Sequence, residues 1–264
     1  MRFARWAPFP IAFLVVAAAS AGIFVPAIYA RETASWAAQG SGQDWVDLVI
    51  AGPALVIAAL CSLGGDRRAR LVTAGLLLYT SYSFAIYAFA VHFNALFLVY
   101  CAVLGGSTFA LTATTSELLA DAPATWFGAN APVKTTAVTL YAIAGLFGML
   151  WLAQLVPALL LGRDPAGLAD TGLVVNPVHV LDLALVLPAM VVVATALRRG
   201  HPLGIVFAPI LLVFGVMMAI AIAGMVLAMN MRGLALDPVP TIAMAIVATA
   251  CAVVVTALLR RLHR

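Results

Sequence analysis

The sequence predicts an all-α integral membrane protein of eight transmembrane helices, built as two parallel four-helix repeats with both termini in the cytoplasm. Three observations carry this prediction. First, 65% of the 264 residues are hydrophobic and only 9% are charged, whereas a soluble domain needs roughly a quarter of its residues charged. Second, the apolar stretches run to roughly twenty residues, enough for a helix to cross hydrocarbon. They also lack the polar–apolar alternation of barrel strands about ten residues long. Only helices and closed barrels satisfy every backbone polar group within lipid, so helices remain. Third, blocks of sequence recur in the same order.

The apolar runs cover approximately residues 8–30, 46–65, 71–92, 95–116, 135–162, 178–197, 203–229 and 239–259. The first follows Arg2 and Arg5 and ends in "IYA", as a signal peptide would. Its match to the fifth run assigns it to the fold, so it is expected to stay attached. Lys and Arg gather on the cytoplasmic side of membrane proteins. With eight spans, one side collects eleven of them: Arg2, Arg5, Arg67, Arg68, Arg70, Lys134, Arg198, Arg199, Arg260, Arg261 and Arg264. The other side collects three, Arg31, Arg163 and Arg232. This bias puts both termini in the cytoplasm and the chain in the inner cell membrane. The net charge of +4 is therefore a topology signal, and no nucleic-acid partner is expected. Cys61, Cys101 and Cys251 sit in separate runs without CxxC spacing, which favours small buried hydrophobes over a redox or metal pair.

The repeat is read from two pairs of blocks. "DLVIAGPALVIAAL" from Asp47 and "DLALVLPAMVVVATAL" from Asp182 both begin Asp-Leu and place proline six residues on, at Pro53 and Pro188. Each ends in a basic turn, "GGDRRAR" or "LRRGHP". Upstream, "VPAIYARE" around Pro26 matches "VPALLLGRD" around Pro157, with Arg31 and Arg163 just beyond. Four spans is an even number, so the halves lie parallel about an axis along the membrane normal. The expected organisation is a first half over 1–117, a cytoplasmic linker over 118–134 and a second half over 135–264.

Asp47 and Asp182 are expected near the outer, N-terminal ends of their helices, where a carboxylate can cap free N–H groups. Asp182 lies about a turn inside the hydrocarbon, so it should face protein or water. His179 precedes it by three and shares its helical face; such a pair can relay protons or bind a cation. Pro53 and Pro188 remove the bonds to Val49 and Ala184 and interrupt their helices beside the aspartates, as broken helices do in transporters. Tyr79, Ser83 and Tyr87 stack at i, i+4 and i+8, as a polar path or a hydrogen-bonded seam. Tyr87, His92 and Arg31 are the expected partners of Asp182. Met217, Met218, Met225 and Met229 read as pliable packing rather than copper ligands.

Walker A, serine-elbow and HExxH motifs do not occur, and this argues against an enzyme. No metal or cofactor is expected. The leading expectation is a small-solute or ion transporter with its site between the halves, toward the outside. Its partners would be the bilayer and an unidentified solute or ion, and an oligomer is compatible with the sequence. One alternative is a non-catalytic assembly or sensory component, in which the same groups only cap and pack. A second is an intramembrane enzyme or redox carrier using His92 and His179. A water-filled cavity reaching Asp182 would favour transport, and a closed dry bundle the non-catalytic component. The stretch "YAFAVHFNALFLVY" resembles segments of prokaryotic multi-pass proteins and implies no activity.

Overall fold

Eight helices long and apolar enough to cross a membrane run through the computed structural model, which describes residues 2–128, 130–234 and 239–262. They are α1 (Arg2–Phe24), α2 (Ala34–Ser62), α3 (Arg67–Ala90), α4 (Phe97–Ala120), α5 (Val133–Leu160), α6 (Pro177–Arg198), α7 (Pro202–Met231) and α8 (Thr241–Arg260). Their length and composition mark the chain as a multi-pass membrane protein. The strand-type pairing among the described residues is an isolated bridge between Phe127 and Leu262.

Side-chain caps set several of the helix starts. Thr33 accepts from the Trp36 N–H (3.2 Å), Asp66 from Arg68 (2.8 Å), Asn176 from Val178 (2.9 Å) and His201 from Leu203 (3.3 Å). Two bounds differ from the sequence expectation. α1 stops at Phe24 because Pro26 forces Val25 into an extended conformation (φ −113°, ψ 96°) and opens a short 3-10 turn, Pro26–Ile28. α2 begins at Ala34, well before the apolar run at 46. Its first turns carry Gln39, Gln43, Asp44 and Asp47, which an average over hydrophobicity discards as loop. At ~1.5 Å per residue its 29 residues span ~44 Å, more than the ~30 Å of hydrocarbon.

The helices pack as two closed rings. In the first, α1 touches α2 and α4, and α3 touches α2 and α4; in the second, α5 touches α6 and α8, and α7 touches α6 and α8. The rings meet where α7 lies along α2 and α3, with a lesser contact between α3 and the start of α6. α7 is accordingly the most enclosed helix, 72% buried over its apolar window, against 11% for α5. α3 has the lowest hydropathy of the eight, 1.4, yet is 67% buried. Its polar residues face protein.

Glycine permits the closest approach of the rings. A Cβ on Gly42 would lie 2.5 Å from the Gly224 carbonyl oxygen and 2.6 Å from the Met225 Cα. The α2 and α7 backbones therefore touch without a side chain between them, as small residues allow in membrane helix pairs.

Described residues of the stretch expected as a linker pack against the helices. Trp126 is fully buried, donates from Nε1 to the Asp121 carbonyl (2.9 Å), and lies under Arg67, whose Cζ is 5.2 Å from the ring. Arg67 also bonds the Asp121 carboxylate at 2.6 Å, which holds that carboxyl below its usual range. Arg68 donates to the Leu262 carbonyl (2.9 Å), tying the start of α3 to the end of α8, where Phe127 also bridges to Leu262. Of the cysteines, only Cys251 is buried, whereas Cys61 and Cys101 are exposed. Pro26 lies in a turn beyond α1 while Pro157 lies inside α5, so those two positions are not in matching structure. His263 and Arg264 lie outside the described residues.

Candidate functional site

Both Asp-Leu blocks wind into a turn of π-helix. One runs Asp47–Ala51 and the other Asp182–Val186, each closed by an N–H donated five residues back to the aspartate carbonyl, from Gly52 and from Leu187. Regular α-helix resumes at Gly52 and Leu187 with Pro53 and Pro188 in its first turn, where a missing N–H is tolerated. The interruption expected from the prolines thus takes the form of a wider turn beginning at each aspartate. Single π turns within α-helices often sit at functional sites.

Neither aspartate is an N-cap. Thr33 and Asn176 hold those positions, and Asp47 falls at the middle of α2. Its side chain is 2% exposed, and its Oδ1 accepts from the Tyr79 hydroxyl (2.7 Å) and from Gln43 Nε2 (3.2 Å). Gln43 also donates to the Tyr79 oxygen. The second oxygen of Asp47, Oδ2, is buried and has no hydrogen-bond partner.

One turn nearer the start of α2, Asp44 is equally buried. It accepts from the Tyr87 hydroxyl on Oδ1 (2.7 Å) and from the Tyr29 hydroxyl on Oδ2 (2.6 Å). Its carboxylate occupies the space that a side chain on Gly22 of α1 would fill. Burial, and then the Asp44 carboxylate, push the Tyr29 phenol well above the usual tyrosine range, so it remains a donor.

Asp182, on α6, is half-buried and accepts from Tyr82 of α3 (2.9 Å) and from Trp151 Nε1 of α5 (2.8 Å). α3 therefore serves both rings. Tyr79 and Tyr87 turn toward the aspartates of α2, and Tyr82, about 60° around the helix, turns toward Asp182. The expectation that Asp182 bonds to α3 holds, through Tyr82 rather than Tyr87.

The remaining expected residues fall elsewhere. His179 is buried against the Trp151 ring (centroids 4.7 Å apart) and makes no hydrogen bond to Asp182. His92 lies in the connection between α3 and α4, where its N–H and Nδ1 meet the buried Glu32 carboxylate at 2.7 and 3.0 Å. Arg31 is exposed and, among the described residues, reaches the Phe93 carbonyl at 3.5 Å. His92 and Arg31 are thus not partners of Asp182. Ion pairs among the described residues lie at helix ends: Arg67–Asp121, Arg70–Glu117 and His92–Glu32. Asp44, Asp47 and Asp182 belong to none of them.

Two cavities flank this polar layer. One, of about 80 Å³, is lined by Tyr29, Gln39, Gln43, Ser83 and Tyr87. The other, of about 240 Å³, reaches Asp182, Trp151 and Tyr82, with Gln39 and Asn176 also on its wall and apolar groups including Met190, Met218 and Met225 over most of the rest. A crevice of about 760 Å³ between the ends of α2, α5 and α6 contains His179, Arg163 and Asn176. Gln39 and Val178 border all three spaces. The methionines of α7 therefore line space as well as pack. Comparison with family models, with curated proteins and with solved structures finds no match, so the functional reading rests on the geometry of this site.

Proposed function

We propose that the chain is an ion-coupled carrier of a small solute in a prokaryotic inner membrane, built from two parallel halves with the site between them. The observation that carries this reading is three carboxylates within the apolar helices, Asp44, Asp47 and Asp182, whose partners among the described residues are all neutral donors. A carboxylate removed from water needs a compensating positive charge. Here that charge has to come from a bound proton or cation, and the orphaned Oδ2 of Asp47 is a place for it. Proton or cation exchange at such groups is what couples transport to a gradient. The cavity reaching Asp182 and the crevice above it supply room and access for a solute. The duplication is supported by the matching rings of neighbours and by the π turn at the same place in both Asp-Leu blocks.

The test is uptake into proteoliposomes under an inside-alkaline pH gradient, from a pool of small metabolites read by mass spectrometry. At least one solute should accumulate, lose its accumulation when the gradient is dissipated, and fall about tenfold or more with Asp182→Asn, a change that removes the charge and keeps the shape. No gradient-dependent uptake by the native chain would favour the non-catalytic component.

Orientation is tested separately. A cysteine introduced at Ala169, exposed between α5 and α6, should react with an impermeant reagent added outside, and one at Gly200, exposed between α6 and α7, should not. Labelling of Gly200→Cys from outside would reverse the topology. Gly40, outside the apolar runs, is no labelling site: it lies within α2 against the Tyr29 ring.

A further inference from the structure

At the opposite end of the first ring from the carboxylates, the start of α1, the end of α2, the start of α3 and the end of α4 enclose a cavity of about 410 Å³. Arg2, Arg5, Trp6, Arg70, Thr114 and Glu117 line it. Three guanidinium groups face one carboxylate. Arg70 is engaged with Glu117 at 2.7 Å, while Arg2 and Arg5 have no ion-pair partner among the described residues. Thr114 is 3% exposed, and its hydroxyl has no hydrogen-bond partner. Threonines in helices commonly satisfy themselves on the carbonyl four residues back, as Thr112, Thr115 and Ser116 on the same helix do. Thr114 makes no such bond, and it lines the basic cavity. Beside the arginines, Phe3 is 52% and Trp6 57% exposed, an apolar surface at the level of the headgroups.

We propose that this cavity binds a phosphate-bearing anion, with Arg2 and Arg5 supplying charge-assisted hydrogen bonds and Thr114 donating its free hydroxyl. Guanidinium groups fit phosphate oxygens in pairs, and basic pockets between membrane helices hold anionic headgroups. Glu117 keeps Arg70 oriented and leaves the cavity net positive. An anionic phospholipid would place its phosphate here and its chains along Phe3 and Trp6, and a free phosphate would use the same donors without the apolar strip.

The experiment compares the full chain with Arg2→Ala/Arg5→Ala and with Thr114→Val. The arginines are exposed, and Thr114→Val keeps the shape of a side chain that makes no bond, so neither change threatens folding; a melting curve confirms it. Native mass spectrometry from detergent reads retention of phosphatidylglycerol against phosphatidylcholine, and calorimetry reads inorganic phosphate. Phosphatidylglycerol should be retained in preference to phosphatidylcholine, with affinity falling about tenfold in the double variant and severalfold in Thr114→Val. Binding of inorganic phosphate with the same variant dependence, without lipid preference, assigns the site to a free anion. Equal retention of both lipids with no phosphate binding, or binding unchanged in both variants, overturns the proposal.

Discussion

Gly42→Ala should destabilise the protein by about 2–3 kcal/mol, the upper part of the range for overpacking. The added methyl would meet the Gly224 carbonyl oxygen and the Met225 Cα, both backbone atoms, so no rotamer change relieves it. α2 and α7 would have to part, and they form the main contact between the two rings. Close packing makes such a shift costly. The expected fall in Tm in detergent is roughly 5–10 °C. Gly105→Ala is the control, because a Cβ there meets nothing within 4 Å. It should be neutral or slightly stabilising, since alanine is the better helix former. Equal melting of Gly42→Ala and the native chain would mean that the rings do not rely on this contact.

Asp44→Ala is expected to cost about as much for a different reason. Interhelical hydrogen bonds in membranes average only ~0.6 kcal/mol when both partners are removed together. Tyr29→Phe and Tyr87→Phe should therefore each cost less than about 1 kcal/mol. Removing the shared acceptor strands both hydroxyls in a buried site, at about 1–3 kcal/mol each. Adding Tyr29→Phe and Tyr87→Phe to Asp44→Ala should recover much of the loss, and Asp44→Asn, which keeps one acceptor, should fall between. Thermal unfolding of the series checks this. A triple variant no more stable than Asp44→Ala would show that the penalty does not come from the stranded phenols.

The eight helices were legible because lipid-facing stretches are apolar on every side, and α5 and α8 need no other information. The end of α1 was also open to prediction, since Pro26 constrains Val25. What escaped was the start of α2. Averaging hydrophobicity assumes that lipid surrounds the helix, and it fails where Gln39, Gln43, Asp44 and Asp47 turn toward other helices. Asp44 was lost for that reason, although its spacing of three from Asp47 put both on one face. The tyrosines of α3 were visible as an excess of hydroxyls. Their assignment was not, because Tyr79, Tyr82 and Tyr87 choose partners by the rotation of α3 between two rings. Trp151 could not be paired with Asp182 from sequence at all, since nothing in α5 signals which of its faces meets α6.

The central claim, that the carboxylates between the rings exchange protons or cations with outer water, is tested most directly by infrared spectroscopy of the reconstituted protein after an acid jump. The carboxylic C=O stretching band should grow in the native chain and lose part of its amplitude in Asp47→Asn and in Asp182→Asn, with the α-helical amide bands unchanged. A carboxylic band that does not respond to the jump, or that responds identically in the native chain and in both variants, would contradict the account.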